Sequence, residues 1–215
     1  MKSLLGSRPL LAGALLLAVS GGALLLNSTL SYAQDEPATP PAQTDQAKPA
    51  TPPEVGDTAP DFELQEIGGE KVSLAALSAK GPVVLLMLRG FPGYQCPLCT
   101  AQVGSLINKA KQFSDAGASV LLVYPGPAQG LKEHADEFAR GKNAPANFHL
   151  ALDPDFGFTN SYGLRWDAKG ETSFPSTFVL DTERVVLFAK VSHSHGGRAT
   201  ADEILAALPT PKAAN

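Results

Sequence analysis

Cysteine is nearly missing from this chain: Cys96 and Cys99 are the only two in 215 residues. A disulfide framework therefore does not hold the fold together, and whatever the pair does is local. Histidine is scarce too, at four. A zinc site built on the two cysteines needs two more ligands, and the His193-Ser194-His195 spacing is not the usual zinc-finger one. Excess basic charge is absent, with 17 Lys and Arg against 21 Asp and Glu for a net charge of −4. That removes the reason to expect nucleic acid or an anionic membrane surface as a partner. No internal repeat is present.

What is present begins with a leader. Residues 1–33 carry Lys2 and Arg8, then an almost wholly apolar run from Leu10 to Leu26, then Ser31-Tyr32-Ala33. This is the pattern of a secretory signal cut before Gln34. An uncut leader would instead act as a membrane anchor, for which its apolar run is at the lower length limit. No cysteine near the cut allows lipid attachment, and no Arg-Arg pair calls for twin-arginine export. The expectation is an exported protein, periplasmic or extracellular, with a membrane tether only if the leader stays. Removing two cations takes the charge from −4 to −6. Residues 34–55 hold prolines at 37, 40, 41, 49, 52 and 53 and read as a disordered Pro/Ala/Thr-rich linker. Residues 56–208 are long enough for one domain with a full core, and 209–215 read as a loose tail.

Both cysteines lie in Leu88-Arg89-Gly90-Phe91-Pro92-Gly93-Tyr94-Gln95-Cys96-Pro97-Leu98-Cys99-Thr100. The apolar run Val83 to Leu88 precedes this stretch, at strand length. Val103, Leu106, Ile107, Ala110 and Phe113 follow it at helical spacing. The cysteines thus sit where a buried strand becomes a helix, with Pro97 suited to the first turn. Backbone N–H groups and the positive end of the helix dipole favour a thiolate there. A structural disulfide would close a very short loop and remove little unfolded-state entropy. Redox chemistry is the leading reading of the pair.

The rest of the domain reads in order. Phe62–Leu64 and Lys71–Leu74 form a hairpin-like start, and Ser119–Tyr124 is the strand after the motif helix, which ends near Gly117. A weakly patterned helix spans 128–140. Phe148–Leu152 is a strand, Phe156–Tyr162 a short helix, 177–180 and 185–191 a hairpin, and 201–208 a last helix capped by Thr200. A strand–helix–strand crossover is right-handed, which makes its two strands parallel. The fold class is α/β, a mixed central sheet with helices on both faces.

This order, with Cys-x-x-Cys after the first long strand, resembles the thioredoxin-like superfamily. Phe174-Pro175-Ser176-Thr177-Phe178 resembles the strand that carries a cis-proline opposite the active cysteines, which implies a cis Phe174–Pro175 bond beside the motif. Gly56 to Phe62, Asp153 to Leu164 and Gly197 to Glu203 are similar to stretches of the peroxiredoxin (alkyl hydroperoxide reductase / thiol-specific antioxidant) family. That family's Pro-x-x-x-Thr-x-x-Cys motif matches Pro92 through Cys99, with Cys96 in the Thr place and Cys99 in the peroxidatic place. The family's arginine before the Thr-Phe strand is replaced by Pro175, which leaves Arg89, Arg165 and Arg198 as substitutes.

The resemblance implies a thiol peroxidase that needs no metal or organic cofactor. Cys99 would attack a hydroperoxide and Cys96 would resolve the sulfenic acid, with Pro92, Thr100, Pro175 and Arg89 in support. An external thiol or thioredoxin-like reductant would then reduce the disulfide. Cys-Pro-Leu-Cys with Pro175 also fits a thiol–disulfide oxidoreductase for exported proteins. A third reading is a copper-binding chaperone using Cys96, Cys99 and His193 or His195. Tyr94 and Trp166 are candidates for shaping the surface near the cysteines.

Overall fold

The computed structural model describes residues 50–91, 93 and 95–210. The leader, most of the linker, Pro92, Tyr94 and residues 211–215 lie outside the described residues.

Thirteen elements follow in chain order: β1 (Glu63–Glu66), β2 (Lys71–Ser73), α1 (Leu74–Ser78), β3 (Val83–Met87), α2 (Pro97–Asn108), α3 (Ala110–Asp115), β4 (Ser119–Gly126), α4 (Leu131–Ala139), β5 (Phe148–Pro154), α5 (Gly157–Ser161), β6 (Ser176–Leu180), β7 (Val186–Val191) and α6 (Ala201–Ala207). Seven strands make one mixed sheet in the order β2-β1-β5-β4-β3-β6-β7. β3 and β4 run parallel, Val83 beside Ser119 through Met87 beside Val123, as the crossover predicts. β6 and β7 form the antiparallel hairpin, and β1 and β2 form the one at the start.

The alternation of side chains along β3 divides the core. Val84, Leu86 and Leu88 face a cluster with Val103 and Leu106 of α2, Phe113 of α3, Phe138 of α4 and Ile204 of α6. Val83, Leu85 and Met87 face the other way, onto Leu74 and Leu77 of α1 and Phe158 of α5. Every residue of β3 is buried, as an unbroken apolar strand covered on both faces must be.

Several boundaries differ from the sequence reading. The helix after the motif is two helices, broken at Lys109, whose φ of −107° and ψ of 15° are not helical. β4 runs through Pro125 and Gly126 rather than stopping before them. β3 ends at Met87, opposite Val123, so no partner on that side needs the N–H that Pro125 lacks. α1 went unread because it is only five residues long; Ser73 Oγ caps it by accepting from Ala76 N–H. Thr200 caps α6 as expected, in a full capping box with Glu203. At the linker end Pro53 is buried and Gly56 N–H bonds to the Val186 carbonyl, so the last linker residues pack on the domain.

The Phe174–Pro175 bond is a correction. Every peptide bond among the described residues is trans. Pro175 needs no unusual isomer where it stands: it is buried, and its carbonyl takes the Ser192 N–H at 2.9 Å at the mouth of the β6–β7 hairpin. An X-Pro bond in a folded protein is cis only about 5–6% of the time.

Candidate active site

β3 delivers the chain to the site. Leu88 N–H still bonds to the Val123 carbonyl, and the backbone then leaves the sheet at Gly90. A Cβ at Gly90 would lie 2.2 Å from the Pro125 carbonyl oxygen, so only glycine lets the outgoing strand run this close to β4. Phe91 stacks on His134 of α4 at 3.8 Å between ring centres. Gln95 is held at both ends of its amide, Nε2 donating to the His134 carbonyl at 2.8 Å and to Glu137 Oε2 at 3.4 Å, and Oε1 accepting from Tyr124 O–H at 3.0 Å. Burial pushes the Tyr124 phenol up to about 12, so it is neutral in ordinary buffers.

Cys96 is the N-cap of α2 and Pro97 its first residue. The Cys96 sulfur accepts from Cys99 N–H at 3.4 Å and from Arg198 Nη2 at 3.5 Å. The Cys99 thiol has two acceptors for its one proton, the Arg89 carbonyl at 3.7 Å and the Cys96 sulfur. Only a protonated thiol has something to give a carbonyl. The two sulfurs are therefore unequal. Cys96 is lowered to about 5, first by the hydrogen bond from the Cys99 thiol, then by the Cys99 N–H, the Arg198 charge and the Leu98 N–H, against the opposing effect of burial. Cys99 is raised, by its hydrogen bond to Cys96 and by its own burial. The pair shares one easily lost proton, and the charge left behind rests on Cys96.

Both cysteines are free and buried, Cys96 at 4% exposure and Cys99 at 1%. This arrangement puts the more stabilised thiolate at Cys96, whereas the motif spacing points to Cys99 as the attacking residue. The motif match placed Cys99 at the peroxidatic position but could not reveal which sulfur receives the donors.

The three candidate arginines separate cleanly. Arg198 reaches Cys96, and its other groups bond to Gln102 Oε1 at 3.2 Å and the His195 carbonyl at 3.2 Å. Arg89 is buried and held by Glu171, Nε to Oε2 at 2.5 Å and Nη2 to Oε1 at 3.1 Å. Arg165 turns away, donating to carbonyls of Trp166, Glu171 and Thr172 and lying over the Phe156 ring. Thr100 is exposed on α2, and its amide bonds to the Cys96 carbonyl. Pro92 and Tyr94 lie outside the described residues.

His195 Nε2 is 2.9 Å from Glu171 Oε1, and His193 packs edge-on to Phe174. Trp166 stacks on Phe174 at 5.1 Å and lies 5.2 Å from the His195 ring. Among the described residues no three of His, Cys, Asp and Glu lie together as a metal site, so the Cys96–Cys99–His copper set is not assembled. Glu171, Gln95 and Tyr124 were missed from sequence. Glu171 stands 82 residues from the arginine it binds, and no local pattern announces such a pairing.

The model described as the AhpC/TSA family matches residues 55–189. A Mycobacterium tuberculosis relative with a provisional peroxiredoxin name is 30% identical over 151 residues, 69% of this chain and 91% of its own. The thiol-disulfide oxidoreductase ResA of Bacillus subtilis is 26% identical over 129 residues, 60% of this chain and 63% of its own. Among solved structures, peroxidoxin BcpB from Mycobacterium tuberculosis superposes with a TM-score of 0.60 at 29% identity, over 72% of this chain and 95% of that one.

Proposed function

Because the chain belongs to the AhpC/TSA family and is an oxidoreductase of thioredoxin-like fold, we propose that it is an exported thiol peroxidase that reduces hydroperoxides through Cys96 and Cys99. The observation that carries this is the buried, doubly hydrogen-bonded Cys96 sulfur with a protonated Cys99 thiol three residues on. The Cys96 thiolate attacks the distal oxygen of the hydroperoxide. The O–O bond breaks, the alcohol leaves after taking a proton, and Cys96 becomes a sulfenic acid. The Cys99 sulfur then attacks Cys96, an S–S bond forms and water leaves. An external dithiol supplies two electrons to restore the pair.

Depth argues for a small oxidant. A hydroperoxide is small enough to reach a buried cysteine such as Cys96, whereas a protein disulfide must line up two sulfurs and needs the attacker exposed. The likeness to ResA and the exposed Leu98 between the cysteines favour a second reading, disulfide exchange with exported proteins. Export itself rests on the leader at residues 1–33.

Reduced protein mixed with hydrogen peroxide or an alkyl hydroperoxide in stopped flow separates the two readings, with insulin reduction run alongside. The peroxidase reading predicts peroxide loss far above the rate of a free thiol and insulin reduction no faster than a simple dithiol. Peroxide loss at the free-thiol rate, with rapid insulin reduction, would reverse the order.

A further inference from the structure

Beneath α2 and α4, against the sheet, lies a pocket of about 170 Å³. Val103 and Ile107 of α2, Leu122 of β4, Phe138 of α4, and Phe148 and Leu150 of β5 line it. Cys96 and Cys99 do not, so the pocket is separate from the redox site. Its size suits one compact apolar group, since an apolar cavity of about 150 Å³ takes up benzene.

One cation stands in the pocket wall. Lys142 Nζ donates to the Phe138 carbonyl and lies 4.1 Å from the centre of the Phe138 ring. Among the described residues no carboxylate pairs with it, whereas Lys71, Lys109, Lys111, Lys132 and Lys190 each hold one. Burial lowers Lys142 from the ordinary lysine value: water has been taken from the ammonium and no anion put in its place. A lysine often caps a carbonyl in the last turn of a helix, but that uses one of its three N–H donors. The acid that also lines the pocket, Glu66, is already held by His149, Oε1 to Nδ1 at 3.0 Å.

We propose that this pocket binds a small carboxylate with a compact apolar body, the body packed between α2 and α4 and the carboxylate on Lys142 Nζ. Charge and size select the ligand together. The apolar lining disfavours a bare inorganic anion, which would lose its hydration there. The unpaired ammonium favours an acid over an alcohol or an amine. The volume admits about one ring and excludes a long acyl chain. The inference does not depend on which sulfur attacks the hydroperoxide.

The test uses 3-phenylpropanoate, 3-phenylpropanol and 3-phenylpropylamine, which share one body and differ in charge. Each is titrated near neutral pH into the full-length reduced protein by calorimetry, and amide chemical shifts locate the site. The acid should bind about ten-fold more tightly than the alcohol, as a charge-assisted contact predicts, and the amine should bind weakest. The shifts should centre on Val103, Ile107 and Leu150. Lys142→Gln should bring the acid to within about two-fold of the alcohol and leave the alcohol unchanged. Ala139 also lines the pocket, and Ala139→Leu should weaken all three ligands about ten-fold by filling it. Lys142 acting only as a cap would lower the melting temperature of Lys142→Gln and leave the preference for the acid intact, which overturns the proposal. So does an acid that binds no better than the alcohol to wild type, an acid that shows no saturation in the millimolar range, or binding that Ala139→Leu leaves untouched. Shifts centred on Arg198 would put the carboxylate at the cysteines and overturn it as well. Should Lys142→Gln not fold, the wild-type difference between acid and alcohol and the Ala139→Leu titration decide.

Discussion

Arg198 donates to the Cys96 sulfur at 3.5 Å, although it sits 102 residues away in the chain. The Cys99 thiol and N–H do more to lower Cys96, but they belong to the motif turn and would persist without it. Arg198→Met should therefore raise the Cys96 titration midpoint without abolishing the thiolate, and should slow the reaction with hydrogen peroxide near neutrality. Arg198→Lys should lose part of the effect, because an ammonium cannot bond to Cys96, Gln102 and the His195 carbonyl at once as the guanidinium does. Thiolate absorbance against pH reads both variants; an unchanged midpoint in Arg198→Met would mean that the helix N-terminus and Cys99 suffice. At this scale the sequence was informative about residue types only. It marked the cysteines and three candidate arginines. The choice among those arginines, and between the two sulfurs, depends on contacts across the fold that no spacing encodes.

The strand–turn–helix that carries the motif depends on close passage of two strands. Gly90→Ala places a Cβ 2.2 Å from the Pro125 carbonyl oxygen, and one backbone must move. The expected cost is about 1–3 kcal/mol, the usual penalty of overpacking. Because the Arg89 carbonyl that holds the Cys99 thiol is the next group along, the peroxide reaction should slow as well. Gly93→Ala is the control, since a Cβ there meets nothing within 4 Å, and it should stay within about 0.5 kcal/mol of wild type. Chemical denaturation of both variants decides; equal stabilities would show that the strands can separate freely at this point. Elements with strong local signals were legible: the all-apolar β3, the Thr200 N-cap, and the β6–β7 hairpin. The break at Lys109, the short α1 and the extension of β4 through Pro125 were not, because tertiary pairing overrides local preference there. The trans bond before Pro175 is the clearest case: the expectation of a cis bond came from resemblance and nothing in the local residues required it.

For the whole molecule, the site links redox state to stability. Cys96 is lowered to about 5 in the folded reduced protein, from an ordinary value near 9. A group depressed on folding contributes stability that is fully present above its unfolded pKa and is lost as pH falls through its folded pKa. The reduced form should therefore gain stability as pH rises from about 5 towards 9, while the disulfide form, with no thiol left to titrate there, gains nothing from this source. The difference in melting temperature between reduced and oxidised protein should shift in favour of the reduced form across that window. A difference that stays constant with pH would contradict the depressed thiolate. The same linkage makes the disulfide a readier oxidant of an incoming dithiol as pH rises, because reduction then delivers a stabilised thiolate.

The central claim is that Cys96 attacks the hydroperoxide and Cys99 resolves. Mass spectrometry of the two single-cysteine variants after brief exposure to equimolar hydrogen peroxide, with a sulfenic-acid trap present, tests it most directly. The account predicts that Cys99→Ser is trapped rapidly as a Cys96 sulfenic acid, because Arg198 and the backbone N–H at position 99 remain. Cys96→Ser should react no faster than an ordinary buried thiol: the raising effect of Cys96 is gone, but burial still raises Cys99 and its sulfur faces the Arg89 carbonyl. Rapid trapping at Cys99 with an inert Cys96 would contradict the account and return the peroxidatic role to the second cysteine.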